Sequence, residues 1–395
     1  MLKKVLLIFC LIIGALLLFP VLVHDKCDGK THISFASWGS ESEIKILKPI
    51  LKDFENINPD IKVDFMHIPQ NYFQKLHLLY ASNTAPDVIF INNLYLPVYA
   101  NAGVLSDLSE YDLEYDKFYK TSLASMGWKG GIYAIPRDIS NLLIFYNKDL
   151  FKKYHIPYPN TGWTYNDFVK MAQKLTKRGE SFGMSFDEGP LYFLSYLVMY
   201  GEWTSEDTLN YFKKDILSKP KINEALNTYA DLRYKYHCAP LKQDLGSMTN
   251  GQMFLLGKLG MYFSGRWMVP KLREDAKFDW DVIEFPTLTG KEKSSVLTDS
   301  SGWALSKSSK HKPEAVKLIK YLSSKRVSEE FTKSGLIVPA RLDVAYSKVF
   351  NDGKKPLNSK AFLNTAQNSR PTPVTVNYNE ILDDLKQKTE YIFNK

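Results

Sequence analysis

Along the chain, apolar and polar positions alternate over residues 32–37 (HISFAS), which predicts a strand that breaks at Trp38-Gly39. Over residues 43–54 the period changes, and Ile44, Leu47, Ile50, Leu51 and Phe54 recur at helical spacing. Residues 61–67 (IKVDFMH) alternate again, and residues 72–81 read as a second helix. Pro86-Asp87 then leads into residues 88–91, an unbroken apolar run of the kind buried on both faces of a sheet. Residues 32–91 therefore predict β-α-β-α-β, a parallel sheet with covering helices. Ligands of such sheets sit beyond the carboxyl ends of the strands, and Trp38 and Asn92-Asn93 stand at two of those ends.

The middle of the chain is mostly helical. Thr164 is placed to cap a helix with Asp167 at its third position, and Phe168, Met171, Ala172 and Leu175 form the apolar stripe. Residues 191–200 predict an aromatic-rich apolar helix ending at Gly201, with Trp203 just beyond, and residues 222–236 are amphipathic. Residues 251–256 lead into a turn at Gly257, and residues 259–263 (LGMYF) read as a short strand closed by Ser264-Gly265-Arg266-Trp267. Residues 280–285 and 302–305 suggest a second strand pair, while residues 313–322 and the chain from Glu380 onward are helical. No internal repeat is visible. The pattern fits two α/β domains whose chain crosses between them more than once, and 395 residues allow each its own apolar interior.

At the start, Lys3 and Lys4 precede an uncharged apolar run over residues 5–23, closed by His24, Asp25 and Lys26. This is either an export signal or an uncleaved membrane anchor, because it exceeds the usual signal core and just reaches bilayer-spanning length. Positive charge ahead of it leaves everything after Val23 outside the cytoplasm, in a periplasm or at the outer face of the membrane. A lipoprotein site needs a small residue before its cysteine, but Phe9 precedes Cys10 and Lys26 precedes Cys27. Cys27 and Cys238 remain in the exported part, either as one disulfide or as two thiols.

Composition is ordinary at 45% hydrophobic and 24% charged, except that 24 Tyr, 23 Phe and 7 Trp bring aromatics to 14%. Such a chain has flat apolar surface for stacking on a ligand as well as for filling a core. The net charge of +8 is spread over helix faces, as at Lys45, Lys48 and Lys52, so no nucleic-acid partner is expected. There is no G-x-S-x-G, H-E-x-x-H, C-x-x-C pair or Walker loop. Trp128-Lys129-Gly130-Gly131 makes a tight turn, but no helix opening with Lys-Ser/Thr follows to cradle a phosphate. The seven His are dispersed, and neither metal nor cofactor is expected. The strongest enzymatic alternative is an exported glycan-processing enzyme with Asp138 and Asp299 as its carboxylate pair. The favoured reading has Asp138 bonding a ligand hydroxyl or its neighbour Arg137, with no catalytic residues.

Residues 130–150 run GGIYAIPRDISNLLIFYNKDL: a G-x-x-Y-A-I-P turn, a polar insert, then an apolar strand ending in Y-N-K-D-L. Around it, in order, stand Trp38-Gly39, residues 54–60 (FENINPD), Ala85-Pro86-Asp87-Val88, Gly162-Trp163-Thr164, residues 257–261 (GKLGM), Gly302-Trp303-Ala304 and Val338-Pro339-Ala340-Arg341. Together these resemble the extracellular solute-binding proteins of carbohydrate-type ABC importers (family 1, maltose-binding-protein-like), over roughly residues 31–345.

The resemblance implies an α/β, two-lobed periplasmic-binding-protein fold of type II, closing about a hinge on a ligand in the inter-lobe cleft. It implies a monomer that binds a sugar, oligosaccharide or related polyol and delivers it to ABC permease subunits; a membrane-tethered sensor is the further alternative. The expected division is a leader and linker over residues 1–30, lobe 1 over 31–140 completed near 306–340, and lobe 2 over 141–305. Residues 341–395 are a C-terminal helical segment of either lobe.

Motif by motif, the resemblance points to Trp38 and Glu41 in the first loop, Asn92 and Asn93 after the third strand, and Arg137, Asp138 and Ser140 in the polar insert. It adds Trp163 at a helix start, Ser264, Arg266 and Trp267 after the G-K-L-G-M strand, Gly302 and Trp303, and Arg341. Trp38, Asp138 and Trp267 are the preferred contacts. Trp163 reads equally well as a helix anchor, and Arg341 as a brace for its loop. Arg137 and Arg266 raise the alternative of an anionic ligand, since guanidinium binds such groups bidentately. A neutral oligosaccharide is favoured because Asp138 stands ready to neutralise one of them.

Overall fold

The computed structural model describes residues 28–201 and 219–395. The apolar run 5–23, Cys27 and Trp203 lie outside them. The leading alternation folds as the pattern predicts: β1 (Thr31–Ser37) lies parallel to β2 (Ile61–His67) on one side and to β3 (Val88–Asn92) on the other. Between them, α1 (Glu41–Ile57) starts at Ser40, whose Oγ accepts a hydrogen bond from the Glu43 amide at 3.3 Å. It buries the stripe Ile44, Leu47, Ile50, Leu51 and Phe54. The second helix, α2 (Tyr72–Ala81), covers the opposite face with Tyr72 and Leu76.

Beyond a small hairpin, β4 (Gly127–Trp128) with β5 (Gly131–Ile132), comes the element that organises the molecule, β6 (Ala134–Asn147). Its N-terminal part pairs antiparallel with β10 (Leu297–Leu305). Its C-terminal part pairs antiparallel with β8 (Leu259–Gly265) and β9 (Trp280–Ile283), and β7 (Phe182–Met184) runs parallel to β8. The sheet order is β2-β1-β3-β10-β6-β8-β7. Side chains of β6 alternate into two cores: Leu142, Ile144 and Tyr146 join one, Leu143 and Phe145 the other. That two-sided burial is why the strand reads as a continuous apolar run.

Helix α3 (Lys120–Ser125) leads into the β4–β5 hairpin, and the helices of the second region are α4 (Tyr165–Leu175), α5 (Pro190–Met199), α6 (Pro220–Tyr234) and α7 (Val269–Asp275). Thr164 caps α4 as expected, its Oγ1 accepting from the Asp167 amide at 3.1 Å while Asp167 accepts from the Thr164 amide at 3.0 Å. After β10 come α8 (Lys312–Leu322), β11 (Val338–Pro339), α9 (Lys360–Asn368), β12 (Arg370–Pro371) and α10 (Tyr378–Phe393). One core gathers Ile33, Phe35, Phe54, Phe90, Trp303 and Leu318; a separate one gathers Phe168, Phe193, Tyr196, Tyr229, Phe285 and Phe393.

One expectation changes here. Residues 280–285 and 302–305 do not pair with each other: β9 lies on the far half of β6, whereas Ser301–Leu305 lie between β3 and the near half. Periodicity marks strands, not partners. Residues 301–304 pair with both β3 and β6. Within the C-terminal segment, α10 packs on α5 and α6, and α9 packs on β6, whereas residues 342–345 pack on the helix over residues 325–333.

Candidate ligand-binding site

The site is built where β6 and β10 pass between the two regions. Asp299 stands opposite Ser140, and Ser301 opposite Asp138. Opposed residues of an antiparallel pair, and those two apart, project on the same face. Asp138, Ser140, Asp299 and Ser301 therefore share one face of the crossing. Asn93, just past β3, closes the edge: its Oδ1 accepts from the Ser300 amide at 3.0 Å and its Nδ2 donates to Asp299 Oδ1 at 3.0 Å. Burial raises the pKa of Asp299, with the bond from Asn93 opposing the rise and Asp138 adding to it.

Between Ser301 and Gly302 the register slips, so that Asp138 faces Ser301, Pro136 faces Gly302, and Arg137 is the extra residue of a bulge. A Cβ on Gly302 would stand 2.2 Å from the Ile135 carbonyl oxygen, so this approach of β10 to β6 requires glycine. The bulge turns Arg137 onto the ring of Phe90 at 4.3 Å. Its Nε donates to Asp138 Oδ2 at 2.7 Å and its Nη1 to Glu43 Oε1 of α1 at 2.5 Å. Burial opposes the guanidinium's charge, but Asp138 and Glu43 more than offset it and raise its pKa. Asp138 also accepts from the Ser301 amide and the Ser140 hydroxyl, both at 3.2 Å. The floor thus sets two carboxylates, Glu43 and Asp138, on one guanidinium, with Asp299 acting on Asp138 from β10.

Aromatic rings flank this floor. Trp38 is half-buried at the end of β1, 4.3 Å from Phe90 and 5.1 Å from Tyr72 between ring centres. Trp267, also half-buried, packs against the cores of both regions, which places it at their junction. Its ring lies so close to Gly265 that a Cβ there would meet it at 2.0 Å. Leu94 of the first region packs against the second region's core. Next to it, Tyr95 stacks on Phe73 at 3.6 Å, and its pKa is raised by burial and then by the charge of Asp383 on α10. Helix α5 packs on β10 and carries the half-buried Tyr192 in its first turn. At the rim, Lys45 of α1 pairs with Glu274 of α7 at 3.8 Å, and the exposed Glu41 acts on Lys271 of α7.

Other residues that the motifs singled out lie apart from this gap in this conformation. Trp303 has no exposure and packs on Phe90 and Phe35. Trp163 is buried edge-on to Phe168, its Nε1 donating to the Glu284 carbonyl at 2.9 Å, which is the helix-anchor reading. Arg341 is buried and braces its loop through Asp343, Glu114 and the Ser323 carbonyl. Arg266 stacks on Phe350 at 4.3 Å, its pKa pushed down to about 9 by burial and then by Arg273. Ser264 is fully buried within β8, and the Asn92 side chain accepts from the Tyr95 amide at 3.1 Å. The premise of two free guanidinium groups at the cleft therefore falls, because Arg137 is neutralised and Arg266 lies between rings of the second region.

Leu94, Tyr95 and Tyr192 were missed by sequence reasoning; their signal was adjacency to Asn92-Asn93 and to the aromatic-rich helix. Among the described residues no group of His, Cys, Asp or Glu is assembled to hold a metal ion, and no helix is long and apolar enough to cross a membrane. Cys238 is buried, which pushes its thiol up to about 12.

Two α/β lobes joined by crossing strands, with a polar floor under aromatic walls, define a periplasmic-type binding protein. The chain belongs to the bacterial extracellular solute-binding protein family, whose model matches residues 38–329. It is similar to an ABC substrate-binding protein of Listeria monocytogenes solved in complex with cycloalternan, with 27% identity, a TM-score of 0.84, and coverage of 92% of this chain and 94% of that one. It is 24% identical over 375 residues to a putative binding protein of Brucella abortus, covering 92% of this chain and 88% of that protein. It is 26% identical over 306 residues to the multiple sugar-binding protein of Streptococcus mutans, covering 72% and 69%.

Proposed function

We propose that this protein is the extracytoplasmic substrate-binding component of an ABC importer, taking up a neutral sugar, oligosaccharide or polyol and handing it to a membrane permease. The observation that carries the neutral reading is the floor itself. An anion entering over Glu43, Asp138 and Asp299 meets like charge, because the one guanidinium beside them is already paired with two of the three. Sugar hydroxyls suit such a floor, since carboxylates and amides offer acceptors and donors at fixed positions. Trp38 and Trp267 supply flat faces for the apolar sides of the rings. Lobe 1 is assigned to residues 31–140 with the later β10–β11 portion, and lobe 2 to the remainder including α10. We assign the protein to the outer side of the cytoplasmic membrane, as a monomer.

Asp138, the candidate catalytic carboxylate, is engaged by Arg137, Ser140 and the Ser301 amide, which suits a fixed acceptor for a ligand hydroxyl. A panel of neutral oligosaccharides and polyols, with their acidic analogues, tests the reading when thermal shift and product analysis are run together. Stabilisation by a neutral ligand recovered unchanged supports it; new reducing ends, or stabilisation by acidic analogues alone, overturns it.

A further inference from the structure

The crossing strands have a second face, and it is also polar. Ile139, Thr298 and Ser300 point away from Asp138, Ser140 and Asp299, because strand neighbours alternate. Behind them is a cavity of about 230 Å³, closed by α3 on one side and by the end of α9 with β12 on the other. Hydroxyls converge on it. Ser122 and Ser300 are each 2% exposed and Thr298 is 8% exposed. Tyr119, Ile139 and Pro371 give the same cavity apolar walls, and no charged side chain lines it.

We propose that this cavity is a second binding site, distinct from the cleft, for a small uncharged polyol of roughly three to six carbons, given a volume below the ~300 Å³ of drug-sized pockets. Several converging hydroxyls match the alternating donors and acceptors of a polyol. The apolar walls match its C–H faces, and the absence of charge disfavours an ion, whose desolvation nothing here would offset. The walls come from both lobes and from both crossing strands, so occupancy depends on how the lobes are placed. By linkage, a ligand here shifts affinity in the cleft and is shifted by it. The site does not depend on what the cleft binds, so it stands or falls separately.

Saturation-transfer NMR with glycerol, meso-erythritol and myo-inositol, each titrated into the purified exported chain, tests it. At least one probe is expected to bind saturably. Ser300→Val and, separately, Ser122→Ala are each expected to weaken that binding at least tenfold while the thermal midpoint stays near that of the parent, and Trp267→Ala in the cleft is expected to leave it in place. Loss of probe binding in Trp267→Ala with retention in both serine variants overturns the proposal. So does the absence of saturable binding by all three probes, which leaves the cavity filled by ordered water only.

Discussion

Replacing Arg137 by methionine removes the charge at the centre of the floor while keeping an apolar side chain against Phe90. The guanidinium is 10% exposed, and the two carboxylates it holds, Glu43 and Asp138, have side chains only 10% and 5% exposed. Taking away one partner of a buried pair leaves the others charged without compensation, at a cost of about 3–5 kcal/mol. Here two carboxylates are orphaned together, which places the expected loss at the upper end of that range. The loss must depend on pH. In the folded variant both carboxylates are desolvated without a counter-charge, which raises their pKa values above those of the unfolded chain. A raised carboxylate pKa means that the folded state binds more protons, so stability falls as pH rises through the carboxylate range and returns as it falls. Equilibrium denaturation of Arg137→Met and the parent at about pH 7 and about pH 5 reads both effects. A loss below about 1 kcal/mol, as for an exposed ion pair, or the same loss at both pH values, refutes the reasoning.

Other changes separate the cleft from the frame. Trp267→Ala is expected to weaken sugar binding by about 1–3 kcal/mol, roughly five- to 150-fold by calorimetry, if the ring stacks on the ligand as aromatic anchors do. Trp303→Ala is expected to cost about 3–5 kcal/mol of stability by chemical denaturation, because it empties a fully buried site between Phe35 and Phe90. Gly302→Ala is expected to destabilise the chain and disturb the bulge that aims Arg137, seen as a lower thermal midpoint together with weaker binding. Arg266→Met is expected to leave stability unchanged or raised, since an apolar chain of similar length replaces a guanidinium whose burial depresses its pKa to about 9. Sugar affinity of that variant, read by the same calorimetry, is expected to stay within twofold of the parent.

The first three strands and their helices were legible because burial on fixed faces prints a period, and α2 and β2 fall at the predicted residues. The cap at Thr164 was legible because it is local chemistry between residues three apart. What periodicity could not carry was partnership. Residues 302–305 read as a strand, but their place between β3 and β6 is set by contacts hundreds of residues apart in sequence. The site divided in the same way. Asn93 and Asp138 are both tied to β10 at the crossing, whereas Trp163 and Trp303 are packed into cores and Arg341 is bonded within its own loop. A tryptophan in a motif looks the same in sequence whether its ring faces a core or a cleft. The pairing of Arg137 with Asp138 was anticipated from their adjacency; the one-residue bulge that also brings it to Glu43 leaves no trace in the pattern of the chain.

The most direct test of the central claim is a crystal structure of the exported chain with the neutral oligosaccharide that stabilises it most. The account predicts sugar rings between the lobes, one stacked on Trp267, with hydroxyls bonded to the face formed by Asp138, Ser140 and Asp299. A ligand held elsewhere, or an Arg137 released from Glu43 and Asp138 to grip an acidic group, would contradict it.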